Sequence, residues 1–178
     1  MARYAAKRIA KMLAACDSAP TADAAGDCLE SLVAYLLEKL PGIELYGRNI
    51  LDAPRAHELD LAFWHIQAKS PLHFLDPIII VECKNTGTPV GSHAVGWFVR
   101  KLQDCGANGG IIVALSGITG ADTGNTSAHS EVLFALVRDR IKILLLDRNE
   151  IQNLRTTEEV IELLREKYLA LSLRRTVL

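Results

Sequence analysis

Eight residues decide most of what this chain can fold into: "PIIIVECK", residues 77–84. Ile78, Ile79, Ile80 and Val81 are β-branched and follow one another without a polar residue between them. Such side chains are stiff at χ1 and suit a pleated sheet better than a helix. A strand with no polar face has to be covered on both sides, so this segment reads as the middle of a sheet between helical layers. Yet the run ends on Glu82 and Lys84. Residues two apart on a strand share a face, with Cα atoms roughly 6.6 Å apart. A carboxylate and an ammonium at the end of a buried strand need each other, or a metal ion, to offset the loss of water.

Around this strand the chain divides by periodicity. Residues 3–16 read as a short helix. A second helix begins between Thr21 and Asp27, its apolar set Leu29, Leu32, Val33, Leu36, Leu37 and Leu40 recurring at helical spacing. Pro41-Gly42 stops it. Residues 43–51 read as a strand, 52–56 as a turn, and 57–66 as a strand of period two. In that strand His57, Leu59, Leu61 and Phe63 point one way, and Glu58, Asp60, Ala62 and Trp64 the other.

Residues 92–105 then form a helix with Val95, Phe98, Val99 and Leu102 inward, and 109–117 a buried strand. A Gly-rich loop (118–127), a helix (127–139), a strand (141–147) and a last helix on a threonine cap (156–173) complete the chain. Three strands joined by short connections favour an antiparallel meander; strands separated by helices favour parallel crossovers. The expected class is α/β, a mixed β-sheet flanked by helices on both faces. Residues 1–20 are expected to form an N-terminal helix or arm, and 21–178 a single domain.

Composition narrows the function classes. With 49% hydrophobic and 23% charged residues the chain is globular rather than disordered. No apolar run approaches the roughly 20 residues that cross a bilayer, so no membrane role is expected. A net charge of −1 gives no support to a non-specific polyanion binder, though a local basic face is compatible with it. Arg3, Lys7, Arg8 and Lys11 give the N-terminus the charge of a transit peptide, but the Ala-rich pattern reads as a basic surface helix. No continuous apolar stretch follows it. The cysteines at 16, 28, 83 and 105 suit neither a zinc site nor a disulfide framework. They read as small core residues in a reducing cytosol.

By itself the pair Glu82-x-Lys84 says little. With 21 acids and 8 lysines in 178 residues, about one such spacing arises by chance. An ion pair at a strand edge accounts for it equally well. Asp60 changes the reading, because an aspartate inside "LDLAFW" is disfavoured in a strand and wants a reason. If the two strands pair antiparallel, Asp60 and Glu82 face the same side. Two carboxylates beside a lysine make a hard-oxygen site of the kind that holds Mg²⁺. Glu30, on a mostly apolar helix face, is either a further carboxylate for that site or a solvated flank residue.

An Asp at a strand end, then E-x-K on the next strand within an α-β-β-β-α-β order, resembles the PD-(D/E)xK nuclease superfamily. The layout is most similar to the Mrr-like restriction endonuclease branch. There the catalytic strand runs into a short loop, "VG", an amphipathic helix ending in Gly, and an apolar strand closing on small hydroxyl residues. The stretch "VECKNTGTPVGSHAVGWFVRKLQDCGANGGIIVALSGIT" follows this order, and with Glu30 and Asp60 the resemblance covers about 28–120. Two departures stand out. The acid lies in "RAHELD" rather than a Gly-rich context, which leaves Glu58 as an alternative to Asp60. The first residue of the E-x-K is Glu where that branch often has Gln.

The resemblance implies metal-assisted hydrolysis of phosphodiester bonds in DNA. Asp60 and Glu82 would hold Mg²⁺ (or Mn²⁺), with the Cys83 carbonyl as a third ligand. Glu30 would anchor a water beside the ion or a second ion. Lys84 would position the attacking water and contact the scissile phosphate; base catalysis is disfavoured, because neighbouring carboxylates raise a lysine's pKa. Trp97, Arg100 and Lys101, off the inward stripe, would meet the DNA backbone or simply form a solvated face. Ser116, Thr119 and the Gly-rich loop would rim the cleft or be ordinary surface. His57, His73, His93 and His129 are scattered without ligand spacing, and Trp64 and His65 read as packing and edge residues.

A homodimer is expected, since cutting two strands invites two-fold symmetry. No separate recognition domain is expected within these 178 residues, so specificity would come from nucleic-acid structure or a partner subunit, or be weak. The competing reading is a catalytically inactive nucleic-acid-binding or scaffold protein of the same fold. A third is a plain α/β domain in which Glu82 and Lys84 form an ion pair and nothing more.

Overall fold

A computed structural model describes residues 2–51, 58–120 and 127–178. Helices α1 (Ala6–Asp17) and α2 (Ala22–Leu37) lead into the meander β1 (Ile43–Leu51), β2 (Glu58–His65) and β3 (Ile78–Lys84). Then come α3 (Ser92–Asp104), β4 (Gly109–Ala114), α4 (Ala128–Phe134), β5 (Lys142–Leu146), α5 (Arg148–Asn153) and α6 (Thr157–Leu169). The sheet order is β1-β2-β3-β4-β5. β1 to β3 pair antiparallel and β3 to β5 parallel. This is the mixed sheet that the connection lengths require.

β3 lies at the centre, and Ile79 through Cys83 are buried on both faces. Each buried Ile or Val side chain contributes roughly 1.5–3 kcal/mol, so these residues anchor the sheet. One face is closed by α3, and Gly110 shows how tightly. A Cβ there would lie 2.6 Å from Phe98 Cζ and 3.0 Å from the Ile80 carbonyl oxygen. On the same face Tyr46 and Trp64 are exposed beside a depression that they line with Ala62, Ile78 and Ile80. Leu61 and Phe63 point to the opposite face and are fully buried beneath α2, which touches β1, β2 and β3. Helices therefore flank both faces.

α1 packs on α2, burying Ile9, Leu13 and Cys16, and the Tyr4 hydroxyl donates to the Leu36 carbonyl. An isolated bridge joins Arg3 to Thr156. The N-terminal helix thus shares the core of the residues that follow it. Cys16 and Cys83 are buried, Cys28 is half-buried and Cys105 is exposed.

Three features go beyond the sequence reading. α5 fills the stretch before the last helix, held by a capping box between Asp147 and Glu150. Widened π-type turns, Ala135–Asp139 and Ala170–Arg174, end α4 and α6, each followed by a residue in the left-handed region, Arg140 and Arg175. A β-bulge shifts the β1–β2 register between Leu45 and Gly47. The expected turn at 52–56, His57 and most of the Gly-rich loop (121–126) lie outside the described residues. None of the described helices is long and apolar enough to cross a membrane.

Candidate active site

The strand geometry that places Glu82 and Lys84 on one face brings them into contact. Lys84 Nζ is 2.6 Å from Glu82 Oε1. The second oxygen of Glu82 is also occupied, because Lys101 Nζ on α3 lies 2.7 Å from Oε2. This corrects the expectation that Lys101 lies on an outward face. It sits three residues beyond Phe98, on the flank of the buried stripe, and its apolar stem carries the ammonium inward to Glu82. Phe98 to Lys101 is an i,i+3 spacing, the one signal in the sequence that pointed to this. Removing one partner from so buried a pair costs about 3–5 kcal/mol.

Asp60 enters from the neighbouring strand. The β2–β3 ladder ends at the pair Leu61 and Val81, and its register carried one step further would set Asp60 opposite Glu82. There β2 gives way to a side-chain contact: Asp60 Oδ2 accepts from the Cys83 backbone N–H at 2.7 Å. A residue's N–H and C=O project to the same side of a strand, so the Cys83 carbonyl also faces toward β2. Burial pushes the Asp60 carboxyl up and the nearby Glu82 carboxylate adds to this. The Cys83 N–H, Lys84 and Lys101 offset it only in part.

Glu30, on α2, belongs to the same electrostatic neighbourhood. It is buried, and desolvation, then Asp60 and Asp27, push its carboxyl up to about 7. Arg48, whose Nη1 donates to Ser31, pulls the other way. Burial would lower the Lys84 ammonium, but Glu82 and Asp60 outweigh it and leave it above its ordinary value. Glu58 is exposed at the start of β2. Its neighbour Asp60 is the acid tied to β3.

A family model described as restriction endonuclease, the Mrr catalytic type, matches residues 22–155. The chain belongs to this restriction endonuclease family. No curated protein and no solved structure matches it. The match extends beyond both ends of the stretch that the sequence motifs cover.

Within this restriction endonuclease-type fold the remaining candidates separate into three places. Trp97 is 47% exposed and lines a depression of about 330 Å³ with Glu82, Lys84, His93 and Ala94. Arg100 is exposed on α3, 3.6 Å from Asp104. Ser116 faces another depression, with Asn85, Thr86 and Arg148, and its hydroxyl donates to the Thr86 carbonyl. Thr119 organises the chain rather than the Glu82 depression: its Oγ1 accepts from the Ala128 N–H at the start of α4. Asn85, just past Lys84, went unnoticed in the sequence. Its amide donates to the Cys16 and Ala25 carbonyls, tying the end of β3 to α1 and α2.

The donor set fits a hard divalent cation in kind. Asp60, Glu82 and Glu30 offer carboxylate oxygens; burial first, and neighbouring carboxylates second, push the Asp60 and Glu30 carboxyls up, and a cation would offset both effects. Among the described residues no group of three or more His, Cys, Asp or Glu is arranged for an ion. Two ammonium groups instead hold Glu82, so a cation would take an oxygen from one of them.

Proposed function

We propose that the protein is a metal-dependent endonuclease that hydrolyses phosphodiester bonds in DNA, with Mg²⁺ or Mn²⁺ held by Asp60, Glu82 and the Cys83 carbonyl. The observation that carries this reading is the meeting of Glu82, Lys84 and Asp60 at one end of β3, beside an open depression. A divalent ion there supplies a water of lowered pKa and offsets charge on the phosphate. Lys84, one-third exposed and kept protonated by its carboxylate neighbours, positions the attacking water and contacts the phosphate. Glu30 anchors a water beside the ion or a second ion. Trp97 and Arg100 meet the DNA backbone beside the depression. The working form is a cytoplasmic homodimer, with sequence or structure preference supplied by a partner subunit or by the shape of the nucleic acid. Ser116 and Thr119, whose hydroxyls serve internal contacts, hold the loops that flank the site.

The test is nicking of supercoiled plasmid with Mg²⁺ or Mn²⁺. Native protein is expected to cleave, and Asp60→Ala and Glu82→Ala to be inactive. One observation favours a second reading. With both Glu82 oxygens on lysines, Glu82 itself is already neutralised without a metal, as in a fold that binds nucleic acid and does not cut. DNA binding without cleavage in any divalent metal would establish that alternative.

A further inference from the structure

Glu82 is held by one ammonium on each oxygen, and the two are not equivalent. Lys84, at the end of its strand, keeps 31% of its side chain exposed. It can turn its charge toward water at little cost. Lys101, on α3 beside the buried Phe98 and Leu102, has only 6% of its side chain exposed. If Lys101 left Glu82, an ammonium would stay buried without a counter-charge, which is strongly unfavourable. The Oε2 contact is therefore permanent and the Oε1 contact exchangeable.

Resting on the metal-dependent reading above, we propose that Lys101 is a positioning residue that fixes Glu82 through Oε2 and leaves Oε1 as the one oxygen Glu82 can pass from Lys84 to a divalent cation. The orientation of Glu82 is then set by α3 and not by its own strand alone. The Lys84 ammonium, displaced from Oε1, stays beside the depression that Trp97 and His93 line, ready to meet an anionic substrate. The Lys101 charge also holds cation affinity down, because it stands against the same carboxylate.

Reductive methylation of the native protein, with and without Mg²⁺ and read by peptide mass spectrometry, tests the exchange. Labelling of Lys84 is expected to rise several-fold with Mg²⁺ while Lys101 stays protected. A rise at Lys101 would overturn the proposal. Mn²⁺ binding, read by electron paramagnetic resonance, tests the charge. Lys101→Met is expected to bind Mn²⁺ roughly tenfold more tightly than native protein, since a neighbouring positive charge is gone, yet to cleave more slowly. Lys101→Arg, which keeps the charge, should return Mn²⁺ affinity to the native value. Unchanged Mn²⁺ affinity in Lys101→Met would make Lys101 a purely structural residue and overturn the proposal, with the nuclease reading intact. If neither native protein nor Lys101→Met binds Mn²⁺, the metal-dependent reading itself fails and the proposal falls with it. Should Lys101→Met not fold, the labelling of native protein still decides.

Discussion

Lys84 and Glu30 each make a separate prediction. The Lys84 contact with Glu82 uses an oxygen that a cation would also want. Lys84→Ala is therefore expected to keep or raise Mn²⁺ affinity while cleavage falls by about 10²-fold or more, the range lost with a positioned electrostatic group. Cleavage at the native rate would remove Lys84 from the mechanism. Glu30 predicts a pH dependence of stability. An unfolded glutamate titrates near 4.3, whereas burial and Asp60 raise Glu30 to about 7 in the fold. Between these values the folded chain keeps a proton that the unfolded chain has released, so stability falls as pH rises through that window. Urea midpoints should drop from pH 5 to pH 8 in native protein, and Glu30→Gln should flatten the drop. Some slope will persist, because Asp60 is shifted in the same direction.

The elements that present these residues depend on close packing and on their caps. α3 can deliver Lys101 to Glu82 only because Gly110 lets Phe98 and Leu102 lie against the sheet. Gly110→Ala puts a methyl 2.6 Å from Phe98 Cζ, and overpacking of this kind costs about 1–3 kcal/mol. Denaturant unfolding should show that loss, together with weakened cleavage as α3 shifts outward. α6 begins with a capping box in which the Thr156 side chain accepts from the Glu159 N–H. Thr156→Ala is expected to cost about 1 kcal/mol by the same measurement and to leave the catalytic end of β3 untouched. Capping signals were plainly written here: "DRNE" announces α5 as clearly as "TTEE" announces α6. The bulge in β1 had only Gly47 as its signal, and a lone glycine in a strand has several meanings.

At the scale of the whole molecule, the site joins α2, β2, β3 and α3, so filling it should stabilise the entire fold. A ligand that binds only the native state at about 100 times its dissociation constant adds about 2.7 kcal/mol. In a chain of this size that raises Tm by roughly 5–10 °C. Saturating Mg²⁺ is expected to give such a rise in thermal unfolding, with EDTA reversing it and Glu82→Gln removing most of it. An unchanged Tm in native protein at every Mg²⁺ concentration would argue for the non-cutting alternative.

The sequence by itself determined the sheet and its pairing. The unbroken Ile78–Val81 run demanded cover on both faces, and short connections followed by helical ones demanded antiparallel and then parallel strands. It also placed Glu82 and Lys84 on one face, because strand alternation is local geometry. Only the tertiary structure decided which groups meet that pair from elsewhere in the chain. Asp60 reaches the Cys83 amide because β2 leaves its ladder one residue early. Lys101 turns inward because α3 lies close against Gly110, a packing at which its i,i+3 spacing from Phe98 only hinted. Ser116 and Thr119, close together in sequence, are drawn into separate internal contacts by the same logic. Local rules reach a few residues along the chain and account for Lys84 beside Glu82, whereas Lys101 and Asp60 come within 3 Å of the end of β3 only through folding.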